Sequence, residues 1–202
     1  MQTVRVLVAY TTNSGSTQAV AEAVGEELGR AGAEVEVRRL EEVAGVEGYT
    51  AVVVGAPMIL GWHRAAQRFV KKYQQALSER PVAYFFTAMS LTQTGQETLQ
   101  GIPIYLDPGL ARPPQRPGRL SLRERYATAA NYLGPVLKAA PSVRPVSVAF
   151  FGGKLELYRL KLLPMLFVML VIQARPGDRR NWPAIREWAA GLRADLLGEG
   201  PA

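Results

Sequence analysis

The sequence predicts an α/β fold, a three-layer α/β/α sandwich in which a five-stranded parallel sheet lies between two layers of helices. Three observations predict it. Strand-like and helix-like patterns alternate along the 202 residues, most strand-like runs are apolar throughout, and 48% of all residues are hydrophobic. Parallel strands joined by helices are covered on both faces, so they form continuous apolar runs. A chain of this length fits one domain, residues 1–202.

The first half of the chain predicts three strands and two helices. Residues 4–10 are rich in Val and Leu and indicate a buried strand, and residues 15–31 carry apolar side chains at helical spacing. Charged residues alternate with valine over 34–38, which is typical of an edge strand. Residues 50–55 are apolar almost throughout and predict a central strand, whereas 64–77 predict a basic amphipathic helix.

The second half predicts two further strands, over 82–87 and 146–151, and two helices, over 121–138 and from Trp182 onward. Asn181 is the expected N-cap of the last helix, because an Asn side chain can accept a hydrogen bond from a first-turn amide. These elements complete the alternation that a parallel sheet with helices on both faces requires.

Two segments do not fit the simple alternation of strands and helices. Residues 92–119 form a long stretch rich in Gly and Pro, which predicts either a lid over a binding site or an extension of the chain. Residues 154–175 form an apolar helical insertion after the fifth strand, with basic residues at its entry and exit. Such an insertion lies at a membrane interface or lines a quinone or porphyrin pocket; alternatively it packs on its own domain or on a partner in a homodimer.

Composition excludes several kinds of site. The chain has no cysteine, which excludes disulfides, thiolate nucleophiles and cysteine-ligated metals. Its single histidine, His63, excludes a zinc site built from several histidines, so we expect no metal. The net charge of +7 favours anionic partners. No motif that reads bases is present, so nucleic acid is not the expected partner.

Patterns for export or membrane insertion are not found either. The apolar stretch at the N-terminus is short and lacks a small-residue cleavage site. The longest uninterrupted apolar run, residues 162–172, is shorter than the roughly 20 residues that a membrane-spanning helix needs. We expect a cytoplasmic protein, or one that contacts the cytoplasmic face of the membrane through residues 154–175.

The loop between the first strand and the first helix predicts a phosphate site. Its hydroxyl groups, and the free backbone N–H groups at the start of the helix, attract an anion. It contains no Lys or Arg and lacks both the Gly-Lys-Ser/Thr ending of triphosphate loops and a G-x-G-x-x-G pattern, so a monophosphate is favoured. The alternative is an ordinary helix cap rich in Ser and Thr. The candidate residues are Thr11, Thr12, Asn13, Ser14, Gly15, Ser16 and Thr17.

The pattern Tyr10-x-Thr12-x-x-Gly15-x-Thr17 resembles the signature of the flavodoxin family. That resemblance implies a flavodoxin-like sheet with the strand order 2-1-3-4-5 and FMN as the cofactor. It also implies that two further loops clasp the flavin ring through backbone amides. Their residues are Pro57, Met58, Ile59, Leu60, Gly61 and Trp62 after the third strand, and Thr87, Ala88, Met89, Ser90 and Leu91 after the fourth.

Some side chains in these loops have alternative roles. Trp62 or Met58 covers a face of the flavin ring, or else Trp62 is a core or interface aromatic. His63 donates a hydrogen bond to a reduced flavin or to a substrate carboxylate, or else it is a solvated histidine in the first turn of a helix. No side chain is identified as a general base, so the catalytic residues stay unassigned.

Several segments resemble a narrower family, the menaquinone-dependent protoporphyrinogen oxidases of flavodoxin fold. They are Gly61-Trp62-His63, Phe150-Phe151-Gly152-Gly153 and Gly177-Asp178-x-Arg180-Asn181-Trp182. The resemblance implies an oxidoreductase of heme biosynthesis, whose flavin accepts electrons from a porphyrinogen-like anionic substrate and passes them to a quinone. The alternative function is a flavodoxin-type electron-transfer module that serves a redox protein partner.

Basic side chains near the flavin loops are candidate contacts for the carboxylates of such a substrate. They are Arg64, Arg68 and Lys71, which otherwise form a solvated helix face. The long loop 92–119 adds Arg112, Arg116 and Arg119 among its prolines.

Overall fold

The computed structural model describes residues 4–58, 61–116, 118–155 and 177–198. Within these ranges a sheet of parallel strands forms the centre of the molecule. Its five central strands, numbered along the chain, are β1 (Arg5–Tyr10), β2 (Glu34–Arg39), β3 (Ala51–Pro57), β4 (Val82–Ala88) and β9 (Ser147–Gly152). They lie in the order β2-β1-β3-β4-β9, and each neighbouring pair is parallel.

Shorter strands extend and flank this sheet. β7 (Ile102–Leu106) pairs parallel to β9, and β6 (Thr98–Leu99) pairs antiparallel to β7, so the sheet has seven strands in all among the described residues. Beyond the carboxyl ends of β4 and β9 lie two small two-stranded sheets. One joins β5 (Leu91–Thr92) to β8 (Ala111–Arg112), and the other joins β10 (Lys154–Leu155) to β11 (Gly177–Asp178).

Helices cover both faces of the sheet. One face carries α1 (Ser16–Arg30) and the last helix, α6 (Trp182–Leu197), and the other carries α2 (Arg64–Lys72) and α5 (Ala129–Ala139). The described ranges also contain the 3-10 turn Leu40–Glu42, α3 (Gln74–Ser78) and α4 (Leu122–Tyr126). No helix in the described ranges combines the length and the apolar character needed to cross a membrane.

The core consists of two apolar layers separated by the sheet. On the α1 and α6 side, Trp188 packs edge-on against Phe85 and Phe151, and its indole N–H donates to Ser147 Oγ at 2.9 Å. On the other side, Phe86 stacks on Phe150 with ring centroids 4.8 Å apart. Because successive strand residues face opposite layers, the consecutive phenylalanines of β4 and β9 supply both cores.

Gly55 in β3 lies so close to Phe85 in β4 that there is no room for a side chain at position 55. A Cβ atom on Gly55 would lie 1.8 Å from the ring of Phe85, which is far inside van der Waals contact. The position therefore accepts only glycine, and the Phe85 ring fills the space that a side chain at position 55 would occupy.

The structure differs from the sequence prediction in the stretch 92–119, which is not one long loop. Ile102, Ile104 and Leu106 pack against one core layer and Tyr105 against the other, so β7 is a half-buried strand between β9 and β6. Pro103 precedes the residues that pair with β9, and it therefore leaves that ladder intact. The prolines around this segment favour a loop in the sequence, and β7 is recognised as a strand only from its pairing with β9.

Two predicted helices are each divided in the structure. The predicted helix 121–138 breaks into α4 and α5, because Thr128 caps α5 by accepting a hydrogen bond from the Asn131 amide at 3.2 Å. The predicted helix 64–77 is interrupted at Tyr73. The predicted insertion 154–175 lies outside the described residues except for its first two positions. The predicted cap of α6 is confirmed, since the Asn181 side chain accepts from the Ala184 amide.

Candidate functional site

Three loops meet at the carboxyl edge of the sheet, after β1, β3 and β4. Thr11 N–H donates to the Gly55 carbonyl at 3.0 Å, and Met58 N–H donates to the Thr87 carbonyl at 2.9 Å. The hydroxyl groups of Thr17 and Thr87 are hydrogen-bonded at 2.9 Å in a buried position. These contacts bring together the predicted phosphate loop and the two predicted flavin-ring loops.

The phosphate loop is a tight turn that leads into α1. Thr12 Oγ1 accepts from the Gly15 amide at 2.9 Å, and Gly15 adopts a left-handed conformation with φ of +87°. Among the described residues, no side chain caps α1, and its first backbone bond runs from Ala19 N–H to the Gly15 carbonyl at 3.3 Å. The amides of the first turn are therefore donors without helical acceptors, as an anion site requires.

The seven predicted phosphate residues divide by their surroundings. Thr11 and Thr17 are buried, and their hydroxyl groups already bond Glu41 and Thr87. Thr12 and Ser14 are half-buried, Asn13 is exposed, and Ser16 is buried at the start of the helix. The partly exposed candidates thus lie in the turn 12–16, while Thr11 and Thr17 fasten the loop to its neighbours. The assignment of all seven as cofactor ligands stays a prediction.

The loop after β3 turns back on itself. Met58 and Trp62 form an antiparallel bridge, His63 N–H donates to the Pro57 carbonyl at 3.2 Å, and Gly61 has φ of +96°. The predicted ring contacts Ile59 and Leu60 lie outside the described residues.

Trp62 belongs to the core, which is one of its two predicted roles. Its ring centroid lies 5.4 Å from that of Tyr84 and 5.0 Å from that of Phe86, and the residue is 2% exposed. An indole packed in this way has no open face on which a flavin ring could stack. The expectation that Trp62 covers the flavin is therefore corrected, and Trp62 instead anchors the loop.

The loop after β4 is held in place by hydrogen bonds that other parts of the chain donate to its backbone carbonyl groups. Gly153 N–H donates to the Ala88 carbonyl at 2.9 Å, Tyr132 Oη to that of Ser90 at 3.2 Å, and Arg179 Nη1 to that of Met89 at 3.2 Å. Ala88 and Leu91 are buried, and Met89 and Ser90 are half-buried. Elements from three separate parts of the chain thus determine the position of this predicted ring loop.

His63 acts as a helix cap and is half-buried, which differs from the solvated histidine that the sequence allowed. Its Nδ1 accepts a hydrogen bond from the Ala65 amide at 3.2 Å at the start of α2. Burial lowers the pKa of His63 below its usual 6.5, Arg68 lowers it further, and Glu41 opposes both effects. The neutral ring therefore carries its proton on Nε2, because Nδ1 is the acceptor.

This cap leads to a prediction about pH. Because the folded-state pKa of His63 is lowered, stability should fall as the pH decreases from 6.5 toward the folded pKa, since the unfolded chain then binds more protons. His63→Asn keeps a capping acceptor without titrating, so its urea midpoint should fall less over this range. His63→Ala should lose about 1 kcal/mol at pH 8. Equal pH dependence in the wild type and His63→Asn would contradict this role.

The other basic candidates near these loops are exposed. Arg64, Arg68 and Lys71 lie on the outer surface of α2, which agrees with a solvated helix face. Arg68 lines a shallow groove together with Glu41 and Lys72, and the described lining of this groove includes no residue of the loops after β3 and β4.

The buried carboxylate of Asp107 was not predicted from the sequence. Asp107 is 0% exposed, and it accepts from Gly109 N–H at 2.8 Å, Asn181 Nδ2 at 2.8 Å and Gly152 N–H at 3.1 Å. It thereby joins the end of β7, the end of β9 and the cap of α6. The run Asp107-Pro108-Gly109 reads as a turn, and nothing in it indicates the two distant partners.

Comparison with known proteins agrees with this architecture. Residues 7–180 match the family described as the flavodoxin domain. The protoporphyrinogen IX dehydrogenase [quinone] of Escherichia coli K12 is 34% identical over 85 residues, which are 40% of this chain and 46% of that enzyme. The match therefore spans about half the length of this curated relative.

Two solved structures share the fold. A flavodiiron core from Synechocystis has a TM-score of 0.52 at 12% identity, covering 98% of this chain and 37% of that one. A flavo-di-iron protein variant from Thermotoga maritima has a TM-score of 0.51 at 14% identity, covering 96% and 36%. At these identities the likeness concerns the fold alone. Since the family match extends over most of its length, the chain belongs to the flavodoxin domain family, a family of redox proteins whose cofactor is FMN.

Proposed function

We propose that this protein is an FMN-dependent oxidoreductase that takes electrons from an anionic small molecule and passes them to a quinone. The observation that supports it most directly is the turn 12–16, which contains no Lys or Arg and leads into α1. The flanking residues Thr11 and Thr17 join it by hydrogen bonds to the ends of β3 and β4. Bound FMN supplies reversible transfer of one or two electrons.

The residues present fit this cofactor. A Cβ atom placed on Gly15 or on Gly61 would meet no other atom within 4 Å, so open space lies beside both the phosphate turn and the loop after β3. The turn 12–16 would hold the phosphate through neutral donors. The loops after β3 and β4 would lie on either side of the flavin ring. Trp62 anchors the first loop in the core, and Arg179 donates to the Met89 carbonyl of the second.

The substrate and acceptor follow from the partial relative, whose name states that it oxidises protoporphyrinogen IX with a quinone. A porphyrinogen carries carboxylates, which suits the net charge of +7. By the same reasoning we propose a role in heme biosynthesis with menaquinone as acceptor, in the cytoplasm, with peripheral membrane contact through 154–175 or a homodimer formed by that segment.

An anaerobic assay tests this function. The protein is reconstituted with FMN and mixed with protoporphyrinogen IX, with and without a menaquinone analogue. We expect the fluorescence of protoporphyrin to grow over many turnovers only when both FMN and the quinone are present.

Two results would overturn different parts of the proposal. Protein that retains stoichiometric FMN but gives no turnover would contradict the porphyrinogen activity and favour the alternative, an electron-transfer module for a redox protein. Protein that leaves the fluorescence of added FMN unquenched would contradict the cofactor itself.

A further inference from the structure

A cleft of about 450 Å³ lies directly beside the loop that follows β4. Met89, Ser90, Leu91 and Thr92 form one side of it, and the segment after β8 together with the start of α4 forms the other. Three of its lining residues are arginines, Arg112, Arg123 and Arg179, and we call it the arginine cleft. Its volume lies within the usual range for sites that bind small organic molecules.

Backbone pairing fixes this cleft to the predicted flavin loop. Leu91 and Thr92 pair with Ala111 and Arg112 in the small sheet of β5 and β8. Thr92 N–H donates to the Ala127 carbonyl at 2.6 Å, and Gln93 N–H donates to the Arg112 carbonyl at 2.8 Å. A molecule bound in the arginine cleft therefore contacts the same loop that is predicted to hold the flavin ring.

The second wall is also held firmly. Ser121 and Glu124 form a reciprocal capping box at the start of α4, and the Glu124 carboxylate accepts from the Gln115 amide at 2.6 Å as well. The hydrogen bonds from the Gln115 and Ser121 amides, together with the weaker effect of the Ser121 hydroxyl, lower the pKa of Glu124. The Glu124 carboxylate, which lines the cleft, thus holds the segment before α4 in place.

Among the described residues that line the cleft, three carry guanidinium groups and one carries a carboxylate, so their net charge is positive. Arg112 donates to the carbonyls of Pro108, Gly109 and Ala111, and Arg179 donates to that of Met89. Within the described part of the chain the partners of these two arginines are carbonyl groups, which hold a guanidinium in place without neutralising it. An arginine held in this way can still pair with a carboxylate.

The cleft also has apolar lining residues. Met89 and Pro113 line it together with the arginines, and Met89 is half-buried. Such side chains offer a surface for the uncharged body of a ligand whose carboxylates reach the arginines.

We propose that the arginine cleft is the binding site for the carboxylate groups of an organic anion, the substrate that exchanges electrons with the flavin. The proposal rests on the proposed function, and it replaces Arg64, Arg68 and Lys71 as the substrate contacts. Those three residues lie on α2, whereas Arg112, Arg123 and Arg179 line a cleft that also contains Met89, Ser90 and Leu91 of the loop after β4.

A binding experiment on the FMN-loaded protein tests this site without requiring turnover. The probes are mesoporphyrin IX, a stable dicarboxylate, and its dimethyl ester, which has the same ring but no charge. We expect wild-type protein to bind the diacid more tightly than the ester, as followed by porphyrin fluorescence. Arg112→Gln and Arg123→Gln should each weaken diacid binding by about tenfold and leave ester binding unchanged. The same titrations should show unchanged quenching of FMN fluorescence.

Arg119→Gln is the matched control, because it removes the same charge from the same part of the chain and does not line the cleft. It should change diacid binding less than twofold. The proposal is overturned if the wild type does not bind the diacid, if the ester binds as well as the diacid, or if Arg119→Gln weakens binding as much as Arg112→Gln. Diacid binding that depends on the cleft arginines, combined with no turnover, would sink the proposed oxidase activity and leave the site standing.

Discussion

Replacing Asp107 with alanine should destabilise the protein by about 3–5 kcal/mol, which is a large fraction of the stability of a typical domain. The carboxylate is fully buried, and three donors point at it, from Gly109, Gly152 and Asn181. Alanine would leave the buried Gly152 amide and the half-buried Asn181 side-chain amide without this acceptor. Urea unfolding at pH 7 measures the loss.

Two further variants separate this contact from a general loss of charge. Asp178→Ala removes a carboxylate from the nearby β11, where the side chain is 42% exposed and paired with Arg180, and it should cost less than about 1 kcal/mol. Asp107→Asn keeps the shape of the side chain but has only one oxygen for three donors, so its stability should lie between those of the wild type and Asp107→Ala.

A double-mutant cycle identifies the partner. Asp107→Ala and Asn181→Ala should be non-additive, because both remove the same 2.8 Å hydrogen bond. If Asp107→Ala costs no more than Asp178→Ala, the carboxylate does not join these elements. The same junction supports the site, since a Cβ on Gly152 would lie 1.9 Å from the Arg179 carbonyl and Arg179 in turn holds the loop after β4.

Local patterns were sufficient for the centre of the fold. The apolar runs that became β1, β3, β4 and β9 are buried on both faces, so each one reads as a strand without knowledge of its neighbours. The phosphate turn was equally local, because Thr12 and Gly15 lie three residues apart and the helix follows at once. The α/β class and the cofactor could be predicted for this reason.

Features that depend on distant partners could not be predicted. β7 is a strand because it pairs with β9, and Asp107 is a buried hydrogen-bond acceptor because the fold brings Gly152 and Asn181 next to it. The sequence allowed two environments for Trp62, and its place in the core depends on contacts with Tyr84 and Phe86 from another strand. The arginine cleft likewise joins residues up to 90 positions apart, such as Met89 and Arg179. Sequence spacing carries no record of such contacts.

Thr12→Asp should abolish tight binding of FMN while leaving riboflavin binding almost unchanged. The FMN phosphate carries nearly two negative charges at neutral pH. A carboxylate placed a few ångströms from it in the turn 12–16 should cost about 3 kcal/mol, which is roughly 100-fold in Kd. Riboflavin has the same ring without the phosphate, so it does not feel this repulsion. Fluorescence titration of both flavins with the apoprotein measures the effect.

The substitution is chosen so that the loop itself should survive. Thr12 Oγ1 accepts from the Gly15 amide, and an aspartate oxygen can accept in the same way. A negative charge at the start of α1 also stabilises the helix, so the melting temperature of the apoprotein should stay constant or rise slightly. Thr12→Asn, which keeps an acceptor but adds no charge, should bind FMN within a few-fold of the wild type. Equal loss of FMN and riboflavin would mean that the loop has collapsed, and unchanged binding of both would place the phosphate elsewhere. Only a loss confined to the phosphate-bearing flavin, absent in Thr12→Asn and in a stable apoprotein, is consistent with a phosphate held by the turn 12–16.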